Sequence, residues 1–164
     1  MDLEQHKLSY QTTCFSEALR LDPPTPLSVI YELTADVKMI TGQLLPKGTL
    51  VSLNLYALHK DPAQYHMAEK FKPMRFEKKS SIYMTPGNQV RHRLSWCPFQ
   101  TGLSWSNDRE YAYTISKWVT SLYFAAMPQL SFSEPDKIKK TSMPSSAPTS
   151  QILVKCTTKL PLRL

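Results

Sequence analysis

Thirteen prolines against four glycines constrain this 164-residue chain more than any other feature of its sequence. Proline locks φ and removes an amide donor, so it ends helices and is kept out of central strands. Two long helices are expected between these breaks. From Asp2 to Leu21, Leu3, Tyr10, Cys14, Ala18 and Leu21 form one stripe, and Leu8, Phe15 and Leu19 a second. Two stripes predict a helix buried on more than one side. Pro23 and Pro24 stop it at Leu21 or Asp22, since a proline disfavours helical geometry in the residue before it. Asn107 with Glu110 three residues later has the form of a variant capping box. Ala112, Ile115, Val119, Leu122 and Tyr123 then recur at helical spacing until Pro128, which predicts a helix from about Arg109 to Met127. Average usage near ~7% would give roughly 11 glycines, so positions needing left-handed backbone are expected to be short of glycine here.

Leu27 to Leu33, Val37 to Ile40 and Thr49 to Leu55 are rich in β-branched and apolar residues and predict short strands, with a turn at Pro46-Lys47-Gly48. His59 to Gly102 mixes Pro, Lys and aromatic residues without sustained period and reads as an ordered irregular meander. Thr141 to Gln151 is a Ser/Thr/Pro surface loop, and Ile152 to Cys156 a final strand. The expected fold class is α+β, in a single domain over residues 1–164. Hydrophobic residues make up 41%, below the usual ~45–50%, so the core should be thin.

Several chemistries are disfavoured. No run of about 18 apolar residues occurs, and Met1 to Tyr10 is polar, so neither leader nor membrane anchor is expected. Cys14, Cys97 and Cys156 are too widely separated for a zinc site, and their odd number does not suggest a disulfide framework. His6, His59, His66 and His92 lack metal-site helical spacing, and no serine sits in a nucleophile elbow. His59 and His92 read as hydrogen-bonding loop residues, and Trp96, Trp105 and Trp118 as packing residues. Twenty Lys+Arg against thirteen Asp+Glu leave +7, with clusters at Lys78-Lys79, Arg91-His92-Arg93 and Lys137 to Lys140. A basic binding module is one reading of that charge; a solvated face is the better one, and no nucleic-acid partner is expected.

Three separated pieces, in this order and spacing, carry a resemblance: Glu17-Ala18-Leu19-Arg20, Phe71-Lys72-Pro73-Met74-Arg75-Phe76 and Pro98-Phe99-Gln100-Thr101-Gly102. Together with Pro23-Pro24, Pro46-Lys47-Gly48-Thr49 and the stretch Tyr56 to Pro62, nearly the whole chain resembles the C-terminal part of a cytochrome P450, the haem-thiolate monooxygenase family. The resemblance implies a Glu-x-x-Arg helix, a small sheet, a meander, a haem-loop helix and a terminal β-hairpin. It also implies that Glu17, Arg20 and Arg75 form a buried structural triad. Glu and Arg three apart share a helix face, and an Arg fork holds a carboxylate with fixed geometry.

The departures decide the functional expectation. The family's haem loop, Phe-x-x-Gly-x-Arg-x-Cys-x-Gly, falls on Phe99, Gly102, Ser104, Ser106 and Asp108, and Ala112 lands on a family alanine. Ser106 thus occupies the iron-ligand position. A hydroxyl stays protonated near neutral pH and lacks the electron push of a thiolate. Ser104 stands where the family has a basic residue for a haem propionate, Ile30 falls near another such position, and Asp108 replaces a glycine. Cys97, nine residues upstream, cannot reach the ligand position without displacing Phe99 and Gly102. The match covers about the last third of a complete member, so substrate-selecting and oxygen-activating segments are expected to be missing.

The expectation is a truncated, degenerate P450 without monooxygenase activity and without bound haem, haem being the cofactor of the parent family. A reductase partner belongs to the parent family only, and family analogy implies a cytosol-facing place, at the endoplasmic reticulum in eukaryotes. One alternative is a haem-dependent oxidoreductase that works with a partner carrying the missing segments. The second helix, without its family neighbours, should leave its apolar residues exposed.

Overall fold

The computed structural model describes residues 10–102, 106–126, 130–132 and 154–156. Helix α1, Tyr10–Leu21, ends two residues before the proline pair. Its buried residues are Thr12, Thr13, Ser16, Glu17, Leu19 and Arg20, whereas Tyr10 is 67% exposed. This corrects the stripe reading, because the face turned inward is mostly the polar one. Charge pairing at Glu17 and Arg20 sets the orientation of the helix where apolar spacing predicted another. The earlier stripe positions Leu3 and Leu8 lie outside the described residues.

Three antiparallel pairs follow in sequence, each of two strands. β1, Tyr31–Glu32, pairs with β4, Leu50–Val51, and encloses the hairpin of β2, Val37–Lys38, with β3, Leu44–Leu45. The expected strands therefore shrink. Leu27 keeps a single bridge to Asn54, and Leu44–Leu45 joins as a strand too short to show a period. Leu55 leaves the strand for α2, Leu55–Leu58, because the Asn54 side chain accepts from the Ala57 amide at 3.0 Å and caps a helix there. The turn at Pro46-Lys47-Gly48 forms, closed by the Thr49 amide on the Pro46 carbonyl at 3.1 Å, with Gly48 at φ +82°. A type II turn requires that sign at its third residue.

The meander is irregular apart from two 3₁₀ turns, Pro73–Phe76 and Arg93–Ser95. Helix α3 runs Arg109–Ala126. Its first closing bond is from the Ala112 amide to the Asp108 carbonyl, so Asp108 rather than Asn107 caps it, one residue off the capping-box reading. β5, Leu130–Phe132, pairs with β6, Val154–Cys156. Met127, the Thr141 to Gln151 loop, Ile152 and the lysines of 137–140 lie outside the described residues.

The core is thin and polar. Leu19, Leu55, Tyr65 and Cys97 are its buried apolar members, beside Glu17, Arg20, His59, Arg75 and Ser95. No residue of α3 is buried: Tyr111 is 68% exposed, Trp118 66% and Leu122 63%. Trp118 thus does not pack as a core residue among the described elements, while the exposure of the helix's apolar residues agrees with expectation. The glycine shortage is visible too, since Met67, Asn88 and Gln100 take positive φ. Asp108, expected at a position where the family has glycine, is not among them, so its backbone carries no positive-φ strain.

Candidate functional site

Helix spacing puts Glu17 and Arg20 on one face of α1, and the Pro73–Phe76 turn brings Arg75 against them from 58 residues beyond Glu17. All three are 0% exposed. Glu17 Oε1 accepts from Arg75 Nε at 2.9 Å, from an Arg20 terminal nitrogen at 2.9 Å and from the Lys72 amide at 2.8 Å. Oε2 accepts from Arg20 Nε at 2.8 Å. Arg20 also donates to the carbonyls of His59 and Lys70, and Arg75 to those of His66, Met67 and Lys70. Arg91 in turn donates to the Arg75 carbonyl. One carboxylate therefore faces several guanidinium groups, and backbone carbonyl dipoles carry the remaining positive charge.

Tyr65 sits in the middle of this charge. Its ring lies 5.0 Å from the Arg20 guanidinium, 5.3 Å from that of Arg91 and 5.9 Å from that of Arg75, and its hydroxyl donates to the Ser95 carbonyl at 2.9 Å. Burial raises the Tyr65 phenol above its usual range, so it stays a neutral donor. Tyr65 was not singled out from sequence, since an isolated Tyr in an irregular segment offers no periodic signal, and Arg91 was read only as part of a basic cluster, not as a partner of the triad.

His59 joins the network from behind. The Cys97 amide donates to its Nε2 at 3.0 Å, which leaves the ring proton on Nδ1. That atom is buried without a partner in hydrogen-bond geometry, and the Leu19 carbonyl nearby only weakly opposes the shift. Burial, then the Arg20 charge, push the imidazole down from 6.5 to about 4. The folded state thus binds fewer protons than the unfolded one between these values. The stabilisation is complete above the unfolded pKa and is lost as pH falls toward 4. Urea midpoints should show a loss of about 2 kcal/mol from pH 7 to pH 5, and His59→Gln should flatten that dependence.

The loop residues lie apart from the triad. Phe99 packs near Tyr113 of α3 at 6.2 Å between ring centres, and its carbonyl accepts from the Ser106 amide at 3.0 Å. Gly102 is at φ +66°. Ser106 Oγ accepts from the Asp108 amide at 3.3 Å. Ser104 and Trp105 lie outside the described residues. Cys97 is buried, its thiol donating to the Leu94 carbonyl at 3.5 Å, and burial pushes that thiol up. Among the described residues no cluster of three or more His, Cys, Asp and Glu could hold a metal ion, and no helix is long and apolar enough to cross a membrane. His92 Nδ1 accepts from the Leu94 amide at 3.2 Å, which makes it a local cap.

The sequence pattern of the cytochrome P450 family matches residues 3–103. The chain belongs to that family. It is 35% identical over 117 residues to rat cytochrome P450 4B1, covering 71% of this chain and 21% of the relative. Against pig taurochenodeoxycholic 6 alpha-hydroxylase it is 35% identical over 116 residues, again 71% and 21%. The P450 chain therefore spans about a fifth of the length of these curated relatives. The solved structure of retinoic acid-bound cyanobacterial CYP120A1 superposes with a TM-score of 0.76 at 28% identity, covering 89% of this chain and 32% of that one. A cytochrome P450DA mutant heme domain reaches 0.77 at 21% identity, covering 94% and 33%, which speaks for the fold alone. The α+β architecture is thus that of a portion of the P450 fold.

Proposed function

We propose that this chain is a non-catalytic member of the P450 family. It keeps the framework around Glu17, Arg20 and Arg75 and does not perform haem-thiolate monooxygenation. The reading rests on the loop alignment that puts Ser106 at the family's axial-ligand position. Its oxygen accepts from the Asp108 amide, and a serine hydroxyl keeps its proton near neutral pH and offers iron no thiolate. Cys97 is no substitute, because its thiol is buried and bonded within its own turn. The residues present do not fit a haem-thiolate centre. A cytosol-facing location, at the endoplasmic reticulum if the chain follows its family, goes with this reading, and no reductase is required.

Reconstitution of the full chain with hemin, followed by a reduced carbon-monoxide spectrum, tests it. No Soret band in the thiolate position is the expected result, and such a band overturns the reading. The exposed apolar residues of α3 favour one second reading, in which the chain completes a haem enzyme with a separate partner segment. Co-expression with an N-terminal P450 segment and haem quantification separates the two: stoichiometric haem in the complex supports the second.

A further inference from the structure

We propose that the cavity between the Arg93–Ser95 turn and the start of α3 binds a phosphate-sized oxyanion. The cavity measures about 120 Å³ and is lined by Arg93, Trp96, Gln100, Thr101 and Arg109 over the apolar residues Leu94, Cys97, Pro98 and Phe99. One water needs only roughly 10–15 Å³, so an ion of several heavy atoms fits.

The lining has donors in excess and no acid. Neither Arg93 nor Arg109 has a carboxylate partner among the described residues. The Arg109 guanidinium lies 5.9 Å from the Trp96 ring centre and 5.8 Å from that of Tyr113, within cation–π range of both. Trp96 Nε1 is buried with no acceptor. An orphaned buried donor of this kind costs about 1–3 kcal/mol, and an indole N–H can only donate. Gln100 uses its side-chain oxygen on the Val29 amide at 3.2 Å, so its NH₂ group remains to donate. Asp108 and Glu110 flank Arg109 in sequence, but both are exposed and neither lines the cavity. Two guanidinium forks, an indole N–H, a carboxamide and a hydroxyl match the several acceptor oxygens of a phosphate. This assignment is independent of whether the chain holds haem.

The test is an indole ¹⁵N–¹H titration of the full chain with orthophosphate, set against sodium chloride at equal ionic strength, with the Trp96 signal assigned by Trp96→Phe. The Trp96 indole should shift and saturate with a dissociation constant of about 1 mM. Arg93→Gln and Arg109→Gln should each weaken binding about tenfold, or ~1.4 kcal/mol. Arg93 is exposed, so its variant keeps the fold and carries the test even if Arg109→Gln does not. A parallel titration with glycerol phosphate distinguishes an esterified phosphate, which saturates the same signal, from a free ion, which alone does so. An equal shift with chloride, no shift at all, or unchanged affinity in Arg93→Gln overturns the proposal.

Discussion

Replacing Glu17 by glutamine should cost about 3–5 kcal/mol of folding stability, much of the ~5–15 kcal/mol a domain usually holds. The carboxylate accepts from Arg20, Arg75 and the Lys72 amide through both oxygens, and all three side chains are sealed from solvent. Glutamine keeps the volume but has a single acceptor oxygen, and its NH₂ group would face guanidinium donors. The loss is therefore that of an uncompensated buried charge, not of one weak surface pair. A urea titration of Glu17→Gln beside the parent chain measures it. A loss below 1 kcal/mol would mean that the carbonyls of His59, His66, Met67 and Lys70 hold the two arginines by themselves.

The second large effect is expected at Tyr65, 1% exposed. Tyr65→Ala should destabilise by about 3–5 kcal/mol, since it opens a cavity in a small core and removes the aromatic face shared by Arg20, Arg75 and Arg91. Tyr65→Phe keeps the ring and loses only the bond to the Ser95 carbonyl, so about 1–2 kcal/mol is expected. Thermal melts of the pair separate ring from hydroxyl. Equal losses in both variants would place the stabilisation in the hydroxyl and remove the cation–π account.

How far the sequence foretold this molecule depends on the kind of signal. The proline pair after Leu21 and the helical spacing from Ala112 to Tyr123 located both long helices, because backbone restrictions act locally. The inward face of α1 was missed, since apolar periodicity cannot register that an ion pair with a residue 58 positions away outweighs it. Two-residue strands such as Leu44–Leu45 are shorter than any alternation. Glu17, Arg20 and Arg75 could be grouped only through family likeness, and their contact distances belong to the fold. Tyr65 and the His59–Cys97 bond had no signal, and Arg91 showed only as part of a basic cluster, because irregular segments place their side chains by tertiary contact alone.

Helix α3 touches the rest of the molecule along one flank. Tyr113 meets Phe15 at 5.0 Å between ring centres and shares a 2.8 Å bond with Ser16, and Ser121 accepts from the Gln11 side chain at 2.9 Å. Phe99 and Trp96 approach its first turns as well, and beyond these contacts Tyr111, Ile115, Trp118, Val119 and Leu122 are exposed. The molecule accordingly has two tiers of cohesion: a charged knot sealed around α1, and an arm, α3, that has no buried residue. Subglobal opening should start with that arm and leave the knot closed.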